Sequence, residues 1–335
     1  MREQAAPVPV DTLKRNTARL SLLSNTFLVL GKLAVGWFTG SISVLAEAVH
    51  SSIDLTAAII AYVAVRTASR PPDREHRFGH GKIENISGLA EALLIFVASL
   101  LIVRESILKF LHGGALQDVY LGLAIMAVSS AVNLYVSNRL FHVGKMTDSV
   151  ALRADGMHLL TDVYTSAGVA VGLLLLWATG IHWLDPLVAL LVAVMITHAA
   201  WELTREAFGD LMDRSLPEAE EKAIRNLVRQ YYPHILELHA LRTRKSGPKR
   251  YIDMHVVFRC GTTLEQAHAI SEVLEKQIAE RLPNADVVLH LEPCDQKCRA
   301  CPVGNRDGGG SPAPAQPLAP APDGRRPSEG GAGGL

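Results

Sequence analysis

The chain has 335 residues, 49% of them hydrophobic, and its 33 basic and 33 acidic side chains cancel to a formal net charge of zero. A positive mean hydropathy of +0.19 is unusual for a soluble protein of this length, and a balanced charge leaves no bulk electrostatic footprint for nucleic acid. Three of the four cysteines crowd at Cys294, Cys298 and Cys301, which is unlike the spread pairs of a secreted disulfide framework and points to a reducing compartment or a metal site.

Residues 1–17 are polar and lack the apolar core and small-residue cleavage site of a signal peptide, so the first hydrophobic helix is expected to be retained. Hydrophobic stretches long enough to cross a bilayer, about 20 residues of helix, fall near 20–39, 42–65, 84–110, 118–141, 149–179 and 184–206. Lys32, Glu47 and Glu91 interrupt them, as do two His/Asp pairs. The expected architecture is therefore an α-helical integral membrane domain of six transmembrane helices over 18–208.

Lys and Arg near membrane segments are retained in the cytoplasm. Lys14, Arg15 and Arg19 precede the first span, Arg66, Arg70, Arg74, Arg77 and Lys82 join the second to the third, and Arg139, Lys145 and Arg153 join the fourth to the fifth. The alternate loops lack basic residues, while Arg104 and Lys109 read as snorkelling side chains. Both termini are assigned to the cytoplasm, and the chain to the cell (inner) membrane as a multi-pass protein.

Residues 209–293 read as a small cytoplasmic α+β domain. Glu218, Glu220 and Glu221 after Pro217 suit a helix N-terminus. Two strand-like runs flank Ser246, Gly247 and Pro248, an amphipathic helix follows, and a last strand closes an αββαβ order. Within residues 294–335 the cysteines come first, and the Pro/Gly-rich remainder cannot bury a core and is expected to be disordered.

Two membrane segments repeat one spacing. His50 and Asp54 are four residues apart, as are His158 and Asp162, so each pair occupies one helical face. Facing each other, the pairs supply two imidazole nitrogens and two carboxylate oxygens, a set a tetrahedral zinc ion accepts. The structural alternative is that each pair is a helix-packing contact, with the His hydrogen-bonded to its own Asp or to a neighbouring helix. Asp155 is expected at the cytoplasmic mouth rather than among the ligands.

In the soluble domain, alternation turns His255, His290 and Glu292 away from the core face. The loop between the second and third spans carries Asp73, His76 and His80, a metal-capable set or a solvated linker. Cys294, Cys298 and Cys301 can wrap one soft ion, with no fourth ligand apparent and harmless cytoplasmic thiols as the alternative. Cys260 stands alone in the sequence and is assigned a structural role.

The two HxxxD pairs, FGHGKIE at 78–84, DRSLP at 213–217 and LRTRKSGP at 241–248 resemble the cation diffusion facilitators, proton-coupled exporters of zinc and related metals, over about residues 10–293. The resemblance implies a homodimer with a metallochaperone-like cytoplasmic domain. It implies a zinc preference where His stands at 50, with Cd2+, Co2+, Fe2+ and Mn2+ left open, and protons as counter-ion. It carries a cytoplasmic zinc site onto His239, His255, His268, His290 and Glu292, a loop site onto Asp73 and His80, and a charged dimer interlock onto Lys82 and Asp213.

The function expected is proton-coupled efflux of divalent metal by alternating access, not catalysis. A membrane-anchored metal sensor and an intramembrane metalloprotease are the rivals. The protease lacks an HExxH and an open coordination position for water.

Overall fold

The computed structural model describes residues 9–40, 42–112, 119–181 and 183–294. Six helices of 27–31 residues come first: α1 (Val10–Thr39), α2 (Ile42–Ala68), α3 (Lys82–His112), α4 (Val119–Thr147), α5 (Val150–Thr179) and α6 (Leu184–Leu211). At 1.5 Å per residue each exceeds the ~30 Å hydrocarbon core. Four of them, α1, α2, α3 and α6, are apolar enough to cross a membrane by length and composition among the described residues. The six expected helices are all present, at the expected places. α4 and α5 match the others in length and gather their charge toward one end, Arg139 and Lys145 late in α4 and Arg153, Asp155 and Asp162 in the first half of α5.

The bundle is apolar outside and polar inside. Phe27, Trp37, Phe38, Phe110, Leu191 and Trp201 are exposed, whereas Asn25, Lys32, Asp54, Glu91, Asn133, Asp155 and His158 are buried. That inversion is expected where the solvent is lipid and the interior carries the function. α5 packs against each of the other five helices, so its polar face is at the centre of the domain.

Behind α6 come α7 (Glu218–Arg229), β1 (Ile235–Ser246), β2 (Lys249–Phe258), α8 (Leu264–Arg281) and β3 (Ala285–Pro293), in the expected αββαβ order. The sheet order is β1-β2-β3, with β1 antiparallel and β3 parallel to β2. The hairpin turns at Gly247, whose φ of +57° favours glycine. The parallel step needs a crossover, supplied by α8. α8 opens with a capping box in which Thr263 and Gln266 satisfy each other's backbone amides.

Ile252, Met254, Val256 and Phe258 of β2 pack with Ile224, Val228, Ile270, Leu274 and Ile278 of the two helices to form the core. Among the described residues no helix covers the opposite sheet face. That face carries the histidines.

The domains meet through the β1–β2 hairpin. Lys245 and Arg250 both reach Asp148 in the α4–α5 turn, at 2.8 and 3.0 Å. The Arg244 guanidinium stacks over Phe78 and Tyr251, and the Tyr251 hydroxyl donates to the Phe78 carbonyl.

Candidate metal centres

The α2 and α5 pairs converge inside the bundle. One ligand atom each from His50, Asp54 and Asp162 lies within 4.8 Å of the others. His158 Nε2 is 3.2 Å from Asp54 Oδ1, so each helix gives one residue to a direct His–Asp contact across the interface. The pairs therefore face each other rather than closing within their own helices, in the arrangement that both the ligand reading and the packing reading allow. His158 Nδ1 is buried without a hydrogen-bond partner among the described residues.

Four helices enclose this cluster. A cavity of about 80 Å³ is lined by Asn25 and Lys32 of α1, His50 and Asp54 of α2, and Asn133 and Asp162 of α4 and α5, among others. Asn133 Nδ2 donates to Asp162 Oδ2 at 3.3 Å, fixing the carboxylate. Lys32 Nζ donates to Ser51 Oγ at 2.7 Å and brings an ammonium to the cavity wall. The sequence marked Lys32 only as an interruption of an apolar run, since nothing in spacing links α1 to the pairs. Asp155, expected at the cytoplasmic mouth, is instead fully buried, three residues before His158.

The α2–α3 loop gathers a second cluster, with ligand atoms of Asp73, His76 and His80 within 4.8 Å of one another. Asp73 Oδ1 accepts the backbone amides of Glu75 and His76 at 3.0 and 2.6 Å, and Oδ2 is 3.2 Å from His80 Nε2. The His76 amide, above all, holds the exposed Asp73 carboxyl below its ordinary pKa. Gly79 bends the loop with φ +83°.

The third cluster crosses the sheet. Register makes His239 and His255 neighbours and His255 and His290 neighbours, so three strands contribute one row of imidazoles. Their ring centroids are 5.3 and 4.6 Å apart. A bulge after His239, with Ala240 at φ +48°, reorients that end of β1.

Glu292 binds the row together, 3.2 Å from His239 Nε2 and 2.8 Å from His255 Nδ1. His290 stands further off, 3.8 Å from Glu292 Oε1. His268 does not join them. It lies exposed on α8, 3.4 Å from Glu272. The donor set of His239, His255 and Glu292 suits a borderline divalent ion.

Lys82 and Asp213, predicted as interlock partners, meet within one chain at 2.9 Å, and Arg244 approaches the same oxygen at 3.4 Å. The Lys82 hydrogen bond, then the cationic charges, hold the Asp213 carboxyl below its usual range. Of the cysteine cluster, Cys294 is buried at the end of β3, while Cys298 and Cys301 lie outside the described residues.

Two family models match the chain, the cation efflux transmembrane domain over residues 18–212 and the cation efflux protein cytoplasmic domain over 216–294. An uncharacterized transporter of Synechocystis sp. is 39% identical over 286 residues, covering 84% of this chain and 91% of that protein. The cation-efflux pump FieF of Cronobacter sakazakii is 34% identical over 282 residues, covering 84% and 93%. A solved chain of the transporter CzrB is 34% identical and covers 24% of this chain and 98% of its own, with a TM-score of 0.23.

Proposed function

The chain belongs to the cation efflux family, the cation diffusion facilitators, multi-pass membrane transporters that move divalent metal cations and are not enzymes, and from that premise we propose that its cargo is zinc, exchanged for protons at His50, Asp54, His158 and Asp162. The observation that carries this reading is the convergence of His50, Asp54 and Asp162, with His158 in contact with Asp54, at a cavity between four helices. Two neutral imidazoles and two carboxylates around a doubly charged ion make an electrically neutral set. That offsets the penalty of holding charge away from water.

Ligation requires ionised carboxylates and unprotonated imidazoles, so cargo and protons compete for the same atoms. Zinc enters from the cytoplasmic side, the bundle reorients, and protons arriving at the ligands release the metal. Lys32 on the cavity wall offsets carboxylate charge between cargoes. Both termini face the cytoplasm. His239, His255 and Glu292 hold resident zinc with His290 beside them, and Asp73, His76 and His80 bind metal at the mouth. Two chains form a homodimer, with Lys82 and Asp213 near its axis.

The test is metal–proton exchange in proteoliposomes. Wild type exchanges zinc for protons, and Asp162→Ala, shown to be folded by its melting curve, does not. Undiminished exchange in that variant overturns the site assignment. Competition by cadmium, cobalt, iron and manganese ranks the cargo.

A further inference from the structure

The C-terminal end of α6 keeps two positive charges that nothing in the chain balances. Each acidic side chain from Glu202 to Asp213 is engaged elsewhere: Glu202 lies 3.5 Å from His198, Glu206 takes both arms of the Arg153 guanidinium, Asp210 accepts from Asn85, and Asp213 meets Lys82 and Arg244. Arg205 and Arg214 are exposed, and among the described residues neither guanidinium makes an ion pair or a hydrogen bond.

The fold brings these two arginines together. Asp213 takes a left-handed conformation, φ +55°, and the Arg214 amide donates to the Gly209 carbonyl at 3.0 Å, so the chain turns back onto the helix it has just left. A Cβ at Gly209 would lie 3.1 Å from Arg214 Cδ and 3.8 Å from its Nη1, which places the arginine against α6 at the glycine. Gly209 stands one helical turn past Arg205, on the same face. Both arginines therefore border one open groove of about 620 Å³.

The rest of that groove is apolar, with Trp201, Phe208 and Met212 all exposed along it. Residues 187–201 contain no Asp, Glu, Lys or Arg, and the charges begin at Glu202. Trp201 thus closes the apolar run, the place an aromatic side chain takes at a membrane interface, and the arginines follow at headgroup depth. We infer that this groove binds an anionic phospholipid, with Arg205 and Arg214 donating to its phosphate oxygens and Trp201, Phe208 and Met212 lying against its glycerol and upper acyl chain. Guanidinium donors match phosphate geometry, and two uncompensated cations favour a lipid of net negative charge over a zwitterionic one. A soluble phosphate would answer the charge but leave the three apolar side chains uncovered. The inference goes beyond transport and requires only that the chain spans a membrane.

The experiment is native mass spectrometry of the purified full-length protein in detergent, titrated with phosphatidylglycerol or with phosphatidylcholine of the same acyl chains. The expected result is saturable binding of phosphatidylglycerol, tighter than that of phosphatidylcholine. Arg205→Gln and Arg214→Gln are each expected to weaken phosphatidylglycerol binding about fivefold, the equivalent of ~1 kcal/mol for a basic residue near an anionic surface. Both variants should keep the wild-type melting curve in lipid-free detergent, since neither guanidinium pairs within the chain. Arg139→Gln, which removes an exposed arginine on α4, should leave the lipid preference unchanged.

Equal binding of the two lipids by the wild-type chain overturns the proposal, whatever the variants do. So does a loss in Arg139→Gln as large as in the groove variants, which would reduce the effect to general surface charge. Displacement of the lipid by millimolar inorganic phosphate would make the groove a site for soluble anions instead. A change of oligomeric mass in Arg205→Gln or Arg214→Gln would make it a contact between copies of the chain. Because lipid binding is read without metal, its failure is distinguishable from failure of the His/Asp cargo site.

Discussion

The backbone amide of Gly247, at the tip of the cytoplasmic hairpin, donates to Oδ1 of Asn85 on α3 at 2.9 Å, and Asn85 Nδ2 donates to Asp210 at the end of α6. One side chain thus joins the sheet that carries the histidine row to two helices of the bundle. A Cβ at Gly247 would lie 2.7 Å from the Gly81 carbonyl oxygen, on a residue already at φ +57°. Gly247→Ala is expected to lower stability by at least the roughly 1–2 kcal/mol of a left-handed non-glycine residue. It should also loosen the domain contact, seen as faster hydrogen exchange in the hairpin and in the first turn of α3. Unchanged exchange there would refute the role of this contact in joining the domains.

Lys14 and Glu84 form a fully buried ion pair between α1 and α3, and the Ser149 hydroxyl also donates to Glu84. Removing one member leaves the other charge uncompensated, at a cost of about 3–5 kcal/mol, while removing both can be close to neutral. Lys14→Met is therefore expected to destabilise more than Lys14→Met combined with Glu84→Leu. Melting curves of the two variants decide it.

The Lys82–Asp213 pair is partly exposed, so it contributes at most ~0–1 kcal/mol. Its pH dependence has a definite sign. The folded carboxyl pKa is lowered, so the contribution is complete above the ordinary value of about 3.9 and is lost as pH falls through the lower folded value. Asp213→Asn should therefore lower the melting temperature by equal amounts at pH 5 and pH 8. A difference that grows between those values would show that another group titrates with the pair.

In the sheet, His255 touches Glu292 while His268 pairs with Glu272 on α8. His255→Ala and Glu292→Gln are expected to abolish zinc binding at the histidine row. His268→Ala should leave it within about threefold, a fraction of the tenfold that 1.4 kcal/mol represents. Calorimetric titration of the full-length variants tests the contrast.

Asp73→Asn separates ligand from scaffold in the loop. Asparagine's Oδ1 can still accept the Glu75 and His76 amides, keeping the turn, but the charge facing His80 is gone. Metal affinity at the loop is expected to fall with no change in melting temperature.

Local pattern and long-range contact differed in how legible they were. The helices, the αββαβ order and the Gly247 turn follow from hydrophobic periodicity and turn chemistry, which act over a few residues. The two HxxxD spacings likewise place ligands on one helical face each. Lys14 was read as a cytoplasmic anchor because charge near a span ordinarily stays in water; its burial depends on Glu84, 70 residues away. Asp155 was misplaced for a similar reason, since only the packing of α5 among the other five helices buries it. The Cys260 thiol meets the Cys294 carbonyl oxygen through strand register, which no spacing along the chain records. Histidine alternation identified a face correctly, but only the bulge and the register select which histidines reach Glu292.

The parallel pairing of β2 with β3 has a thermodynamic consequence. His255 and His290 are neighbours only while α8 is folded across the sheet, so an unfolded chain has no histidine row to offer a metal. Metal occupancy and folding of the cytoplasmic domain are then one linked equilibrium. Free zinc at a hundredfold excess over its dissociation constant would add about 2.7 kcal/mol to the domain's stability, and a chelator would withdraw it. Zinc held at that row would make the domain's resistance to unfolding a gauge of the metal around it.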